Sequence, residues 1–137
     1  MTLNRSIALL TIRLILGLIV LMQGIGKIFK WGLESMYRDM FQETYQELLP
    51  EFILRFTLYY TTFVELIAGI LLIIGLKRDY ALYALATVYV IVAFGHGLSN
   101  PVWNLDHIMY RTMLLASILI MPKEWDTISL DQYFKKR

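Results

Sequence analysis

Residues 52–76 are long and apolar enough to cross a bilayer as one helix, and a carboxylate, Glu65, lies inside that stretch. In lipid, every backbone N–H and C=O must be satisfied within the protein, so such a chain is confined to helices or a closed barrel. Three further runs read the same way: residues 7–29, 80–98 and 106–121, the last short and polar at its start. Lys77-Arg78-Asp79 and Ser99-Asn100-Pro101 supply the turns between the later runs, and Pro122 follows the last. The first run is too long for a signal peptide and no small-residue cleavage site follows it, so it is expected to be a span.

Composition decides between lipid and water. The chain is 58% hydrophobic and 18% charged, against roughly 45–50% and about 25% in soluble domains. Its mean hydropathy is +0.56. The expectation is therefore an all-α integral membrane four-helix bundle, formed as one domain of 137 residues; a soluble helical bundle is the alternative. Residues 31–50 differ from the spans. They carry Glu34, Arg38, Asp39, Glu43 and Glu47 between apolar residues spaced by three and four. This segment reads as an interfacial amphipathic helix between spans one and two, or as a loop helix that caps the bundle.

Orientation follows the Lys/Arg bias. Arg5, Lys77, Arg78, Lys123, Lys135, Lys136 and Arg137 share one side; the other carries Lys27, Lys30, Arg38 and Arg55 among acidic residues. Both termini are expected in the cytoplasm and the protein in the inner (plasma) membrane, with Trp31, Trp103 and Trp125 near span ends.

Several function classes are excluded or unsupported. The absence of cysteine removes disulfides, Fe–S ligation and thiol chemistry within this chain. A net charge of +2 leaves no nucleic-acid footprint. There is no phosphate-binding Gly-rich loop, no His-Glu-x-x-His and no Gly-x-Ser-x-Gly elbow.

What remains is a set of polar residues inside the spans, where ionisable groups are costly and point to function. Counting about 1.5 Å per residue from the cytoplasmic end puts Glu65 at roughly 16 Å and Arg111 at roughly 15 Å. Gln23 and His96 fall near 24 Å, Asp106 and His107 at about 21–23 Å, Lys27 at about 30 Å and Arg13 at about 9 Å. A Glu65–Arg111 pair near midplane follows, either as a register lock or as the floor of a ligand or proton site. Gln23, Lys27, His96, Asp106 and His107 would line that site, with Arg13, Gly24 and Gly69 structural or gating. Val20, Tyr89 and Ala93 would complete its wall. Arg13 and Lys27 have a plainer alternative, which is snorkelling to the headgroups. Two histidines without a motif give no metal site, and haem ligation is the weaker reading of His96 and His107.

Arg13-Leu-Ile-Leu-Gly17, Gln23-Gly24-Ile-Gly26-Lys27 and Glu65-Leu-Ile-Ala-Gly69-Ile-Leu-Leu-Ile-Ile-Gly75-Leu-Lys-Arg78 resemble DoxX-like membrane proteins. His96, Arg111 and the tail Ser129-Leu130-Asp131 fit the same pattern. The resemblance implies a four-helix membrane bundle with a loose link to respiratory redox chemistry. Some members resemble subunits of a thiosulfate:quinone oxidoreductase, and others are tied to thiol-stress defence; a chain without cysteine cannot itself carry a thiol relay. The expected function is binding of a quinone-like or other apolar small molecule, with electrons supplied by a partner subunit. No cofactor is firmly implied, whether the chain is an enzyme stays open, and a homo-oligomer is compatible. The alternatives are a non-enzymatic membrane anchor or scaffold and a small-solute transporter, the latter disfavoured by the lack of an inverted repeat.

The orientation is directly testable because the chain has no native thiol. A tag after Arg137 should be reached only from the cytoplasm, and Ser99→Cys should react with an impermeant maleimide only from the opposite side. Labelling of Ser99→Cys from the cytoplasm alone would reverse the orientation.

Overall fold

The first apolar run folds as α1 (Thr2–Ile25), which widens into π-helical turns over Gly26–Trp31. A computed structural model describes residues 2–100 and 106–136; Pro101 and Trp103 lie outside them. The second run is α4 (Glu51–Ile74), the third α5 (Arg78–Ser99) and the fourth α6 (Asp106–Ile120). Leu3–Trp31, Glu51–Ile74 and Arg78–Ser99 are each long and apolar enough to cross a membrane. At about 1.5 Å per residue, α6 reaches roughly 22 Å, short of a hydrocarbon core of about 30 Å. It packs against α1 and α5 as the fourth member of the bundle. Every described element is helical.

The exterior is the inverse of a soluble protein. Phe52, Phe56, Phe63, Ile67 and Ile70 on α4, and Val90 and Phe94 on α5, are all exposed. Such continuous apolar surface belongs in lipid. The interior is a closed set of aliphatic residues, with Leu9, Leu16, Val20, Leu72, Leu82, Leu85, Val88 and Ile118 fully buried.

Apolar burial does not drive helices together inside lipid, so close backbone packing carries much of the association. The α1–α4 contact is of this kind. A Cβ on Gly69 would lie 2.7 Å from the Leu21 backbone nitrogen, and one on Gly24 would lie 3.0 Å from that of Leu66. Gly17 meets Leu72 and Ile73, and Gly75 meets Arg13. These contacts fix an antiparallel register in which the first turns of α1 run past the end of α4. Counting depth from residue 7 therefore places α1 residues about 9 Å too far from that end.

Turns are fixed by backbone chemistry. Gly75 ends α4 at φ 70° and Lys77 follows at φ 47°, a left-handed conformation that costs a non-glycine residue about 1–3 kcal/mol. The Asp131 carboxylate holds it there by accepting from the backbone N–H groups of Lys77 (2.9 Å) and Arg78 (3.2 Å). Asp131 belongs to α7 (Leu130–Lys135), whose start is capped by the Ser129 hydroxyl accepting from Gln132 N–H.

Within residues 31–50 the chain is helical without a break from Leu33 to Tyr45, with a widened middle. This stretch comprises α2 (Leu33–Met36), π-helical turns over Tyr37–Gln42 and α3 (Glu43–Tyr45). The segment packs on α4, with Met36 and Tyr37 buried against Leu54 and Leu58. Arg55 fastens it by stacking on Tyr37 at 4.1 Å and pairing with Glu34 at 3.0 Å. The Tyr45 hydroxyl donates to the Gly95 carbonyl on α5 at 3.0 Å. This is the bundle-capping arrangement, and tertiary contacts from α4 and α5 override the simple helical period.

Gly69→Ala should lower stability by about 1–3 kcal/mol, because the added methyl has to force two helix backbones apart. Thermal unfolding in detergent reads this. Gly97→Ala is the control, since a Cβ there meets nothing within 4 Å; equal melting of both variants would remove the close-packing account.

Candidate functional site

Lys27 leaves the wide turns at the end of α1 and points inward rather than to the headgroups. Its ammonium donates to Glu65 Oε2 at 2.6 Å, with the carboxylate side chain 4% exposed and the lysine 17%. The ion pair is Lys27–Glu65, which corrects the expected Glu65–Arg111 pair and the snorkelling alternative for Lys27. The reason is the α1–α4 register, which brings Lys27 far closer to the level of Glu65 than the depth count does. Arg111 lies within electrostatic reach of Glu65 and of Tyr89 but beyond ion-pair contact with Glu65. One carboxylate thus faces two cations, and the layer carries net positive charge.

Two polar atoms in this half of the bundle are buried without a hydrogen-bond partner: Gln23 Oε1, one helical turn before Lys27, and the Tyr89 hydroxyl on α5. Leaving such a group unsatisfied costs about 1–3 kcal/mol. Thr61 and Thr62 are buried here too, but their hydroxyls are satisfied by the Leu58 carbonyl. His96 and His107 meet edge to face, with ring centroids 5.2 Å apart and an interplanar angle of 85°. Asp106 and His107 are exposed at the start of α6. Among the described residues no group of three or more His, Asp or Glu side chains is arranged to hold a metal.

Of the residues expected to wall a cavity (Val20, Gly24, Gly69, Tyr89 and Ala93), three are taken up in packing. Val20 is fully buried in the aliphatic core, and Gly24 and Gly69 bring α1 and α4 into contact. A cleft of about 760 Å³ opens between the wide end of α1 and the capping segment. Met22, Gln23, Lys27 and Trp31 line one side; Ser35, Met36, Asp39 and Met40 line the other. Both walls include π-helical turns, which recur at functional sites in helices. Lys27 belongs both to the cleft and to the ion pair behind it.

A second polar layer sits at the opposite end. Arg13 is 1% exposed and does not snorkel. It donates to the carbonyls of Leu72 (2.8 Å) and Ile128 (2.6 Å) and lies 3.4 Å from the Asp126 carboxylate. Arg78 approaches the other Asp126 oxygen at 3.6 Å and also pairs with Asp79, which Lys123 meets at 2.6 Å. Burial pushes the Asp126 carboxyl above the ordinary aspartate range, and Arg13 and Arg78 oppose that shift. The Asp79 carboxylate raises the Lys123 ammonium above its usual value. Gly75 is required here twice over, by its positive φ and because a side chain would collide with the Arg13 guanidinium. Asp126 and Tyr89 are the residues that sequence reasoning under-read. Asp126 sits in an irregular tail with no period to betray it, and Tyr89 shows only as one member of an otherwise bland stripe.

The two layers differ in kind. The Arg13–Asp126 layer joins α1, α4 and the C-terminal segment through backbone carbonyls, so Arg13→Ala should cost about 3–5 kcal/mol by removing those links and one of the two cations that hold the buried Asp126 carboxylate. Chemical or thermal unfolding in detergent checks it; a loss below about 1 kcal/mol would mean that the layer is not an anchor. Arg13 Nε, Arg78 Nη1 and Asp126 Oδ1 also lack hydrogen-bond partners, but they face one another across ion pairs of 3.4 and 3.6 Å, whereas the Lys27–Glu65 layer has an open cleft beside it.

A family model described as DoxX matches residues 8–97. None of the curated proteins compared with the chain matches it, and neither does any solved structure.

Proposed function

The chain belongs to the DoxX family, and on that premise we propose that it binds a quinone-like apolar molecule at the Lys27–Glu65 layer and serves a redox partner. The observation that carries this reading is the buried 2.6 Å ion pair flanked by two unsatisfied polar atoms, Gln23 Oε1 and the Tyr89 hydroxyl. Gln23 and Lys27 also line the cleft, where a bound head group would meet them.

The chemistry is coherent with the residues present. Reducing a quinone to a quinol takes two electrons and two protons. The electrons come from a partner subunit, since this chain carries no thiol. Lys27 and Glu65 would hold the head group and could exchange protons with it. Arg111, within electrostatic reach of Glu65, would add positive charge on the side of the head group. The bundle sits in the inner membrane with both termini cytoplasmic, supported by the Lys and Arg residues gathered at the end where Arg13 and Asp126 meet.

Native mass spectrometry with lipid extraction tests the reading. A quinone should co-purify with the wild-type protein. The double variant Lys27→Met, Glu65→Leu replaces the pair with apolar groups of similar size, so it should fold normally. It should retain at least about tenfold less ligand, a loss of roughly 1.4 kcal/mol. Equal retention by both proteins, or no quinone in either, would defeat the assignment.

A further inference from the structure

We infer that a second cleft, at the opposite end of the bundle between the α4–α5 turn and the C-terminal segment, binds the head group of an anionic phospholipid. This cleft has a volume of about 270 Å³, and Lys77, Tyr80, Lys123 and Lys135 are among the residues that line it. It falls at the lower edge of the range of about 300–1,000 Å³ usual for small-molecule sites, a size that suits a head group rather than a whole ligand. It lies where head groups lie, because α4 ends at Ile74 and α5 begins at Arg78 beside it. Tyr80 on its wall and Ile120 at the end of α6 are 73% and 82% exposed, so the lipid-facing surface runs up to this end of the bundle. A head group can therefore enter while its acyl chains stay on the flank of the bundle. The inference is independent of the ligand proposed for the other end.

The charges decide which head group fits. The carboxylates around the cleft are already engaged. Asp126 faces Arg13 and Arg78 at 3.4 and 3.6 Å, and Asp79 meets Arg78 at 3.1 Å and Lys123 at 2.6 Å. Asp131 accepts from the backbone N–H groups of Lys77 and Arg78. The described residues place no carboxylate within ion-pair distance of the Lys77 and Lys135 ammonium groups. These two lysines are distant in the chain. They share the cleft because the tail folds back, with the Asp131 N–H donating to the Gly75 carbonyl at 3.0 Å. Lys123 adds a third ammonium, which has three N–H donors and meets Asp79 with one of them. Ammonium groups form strong charge-assisted bonds to phosphate oxygens, and basic pockets at the ends of membrane helices bind anionic heads. A zwitterionic head would bring a cation of its own against Lys77 and Lys135, so the preference is for net negative charge.

Native mass spectrometry of the delipidated full-length protein in non-ionic detergent tests this, with phosphatidylglycerol and phosphatidylcholine of equal chain length as probes. One phosphatidylglycerol should be held at least about tenfold more tightly than phosphatidylcholine. Lys77→Gln combined with Lys135→Gln should bring the two lipids within about twofold, with unchanged thermal unfolding. Should Lys77→Gln disturb the α4–α5 turn, Lys135→Gln alone should lower the preference by about threefold or more, and Lys135→Arg should keep it. Lys136→Gln removes the same charge from the next residue, which does not line the cleft, and should leave the preference unchanged. Equal losses from Lys135→Gln and Lys136→Gln would show only diffuse attraction to a basic tail and would overturn the inference. Equal retention of both lipids by the wild type would do the same. Inorganic phosphate supplies the last arm and should not displace phosphatidylglycerol; displacement would assign the cleft to a soluble anion and end the lipid reading.

Discussion

The close approach of α1 and α4 sets the height of everything else. Gly24 and Gly69 allow backbone contact at two points along the helices, and that contact admits one antiparallel register. Within it Lys27 reaches Glu65 and Arg13 lies beneath Gly75. Shifting the helices by one turn, about 5.4 Å, would separate both sets of partners. Each would then hold an uncompensated charge away from water, which costs several kcal/mol. The glycines and the charges therefore enforce the same arrangement, one by shape and the other by penalty.

The two polar layers divide the work along the bundle. At one end, Arg13, Arg78 and Asp126 are tied to carbonyls and to the C-terminal segment, while Asp131 fixes the α4–α5 turn. Their remaining atoms, Arg13 Nε, Arg78 Nη1 and Asp126 Oδ1, face one another as ion pairs without hydrogen bonds. At the other end, the capping segment covers α4 but leaves a cleft against the last turns of α1. Capacity remains there in Gln23 and Tyr89. The interior at one end of the bundle is thus closed by charge pairing, and the other end is left open beside a charge pair.

Much of the architecture was legible because lipid imposes simple rules. Apolar runs of spanning length identified the three long helices, and Gly24 and Gly69 stood out as small residues beside polar ones. Helical period also tells which residues share a face, and Glu65 was correctly placed away from lipid. Period does not tell how far one helix slides along another. Lys27 was for that reason set apart from Glu65, and Arg111 was given its place. Arg13 could not be matched with Asp126 because a tail without repeating pattern carries no phase to compare. The cleft was hidden for a third reason: wide turns at Gly26–Trp31 and Tyr37–Gln42 break the 3.6-residue phase on which facing arguments depend.

Those wide turns make the outer end of α1 a matter of length as much as of residue identity. A π-helical turn accommodates one residue more than an α-helical turn. Removing any one residue between Gly26 and Trp31 would let the segment relax to an α-helix, and because the lost residue offsets the lost width, Trp31 and the capping segment would keep nearly their present phase. What would disappear is the wide turn itself, which forms part of one wall of the cleft. Related chains that differ here by a single gap would thus share a bundle and a cap yet present differently shaped mouths. In an alignment such a gap looks trivial, yet it marks where the cleft can change while the helices beneath stay as they are.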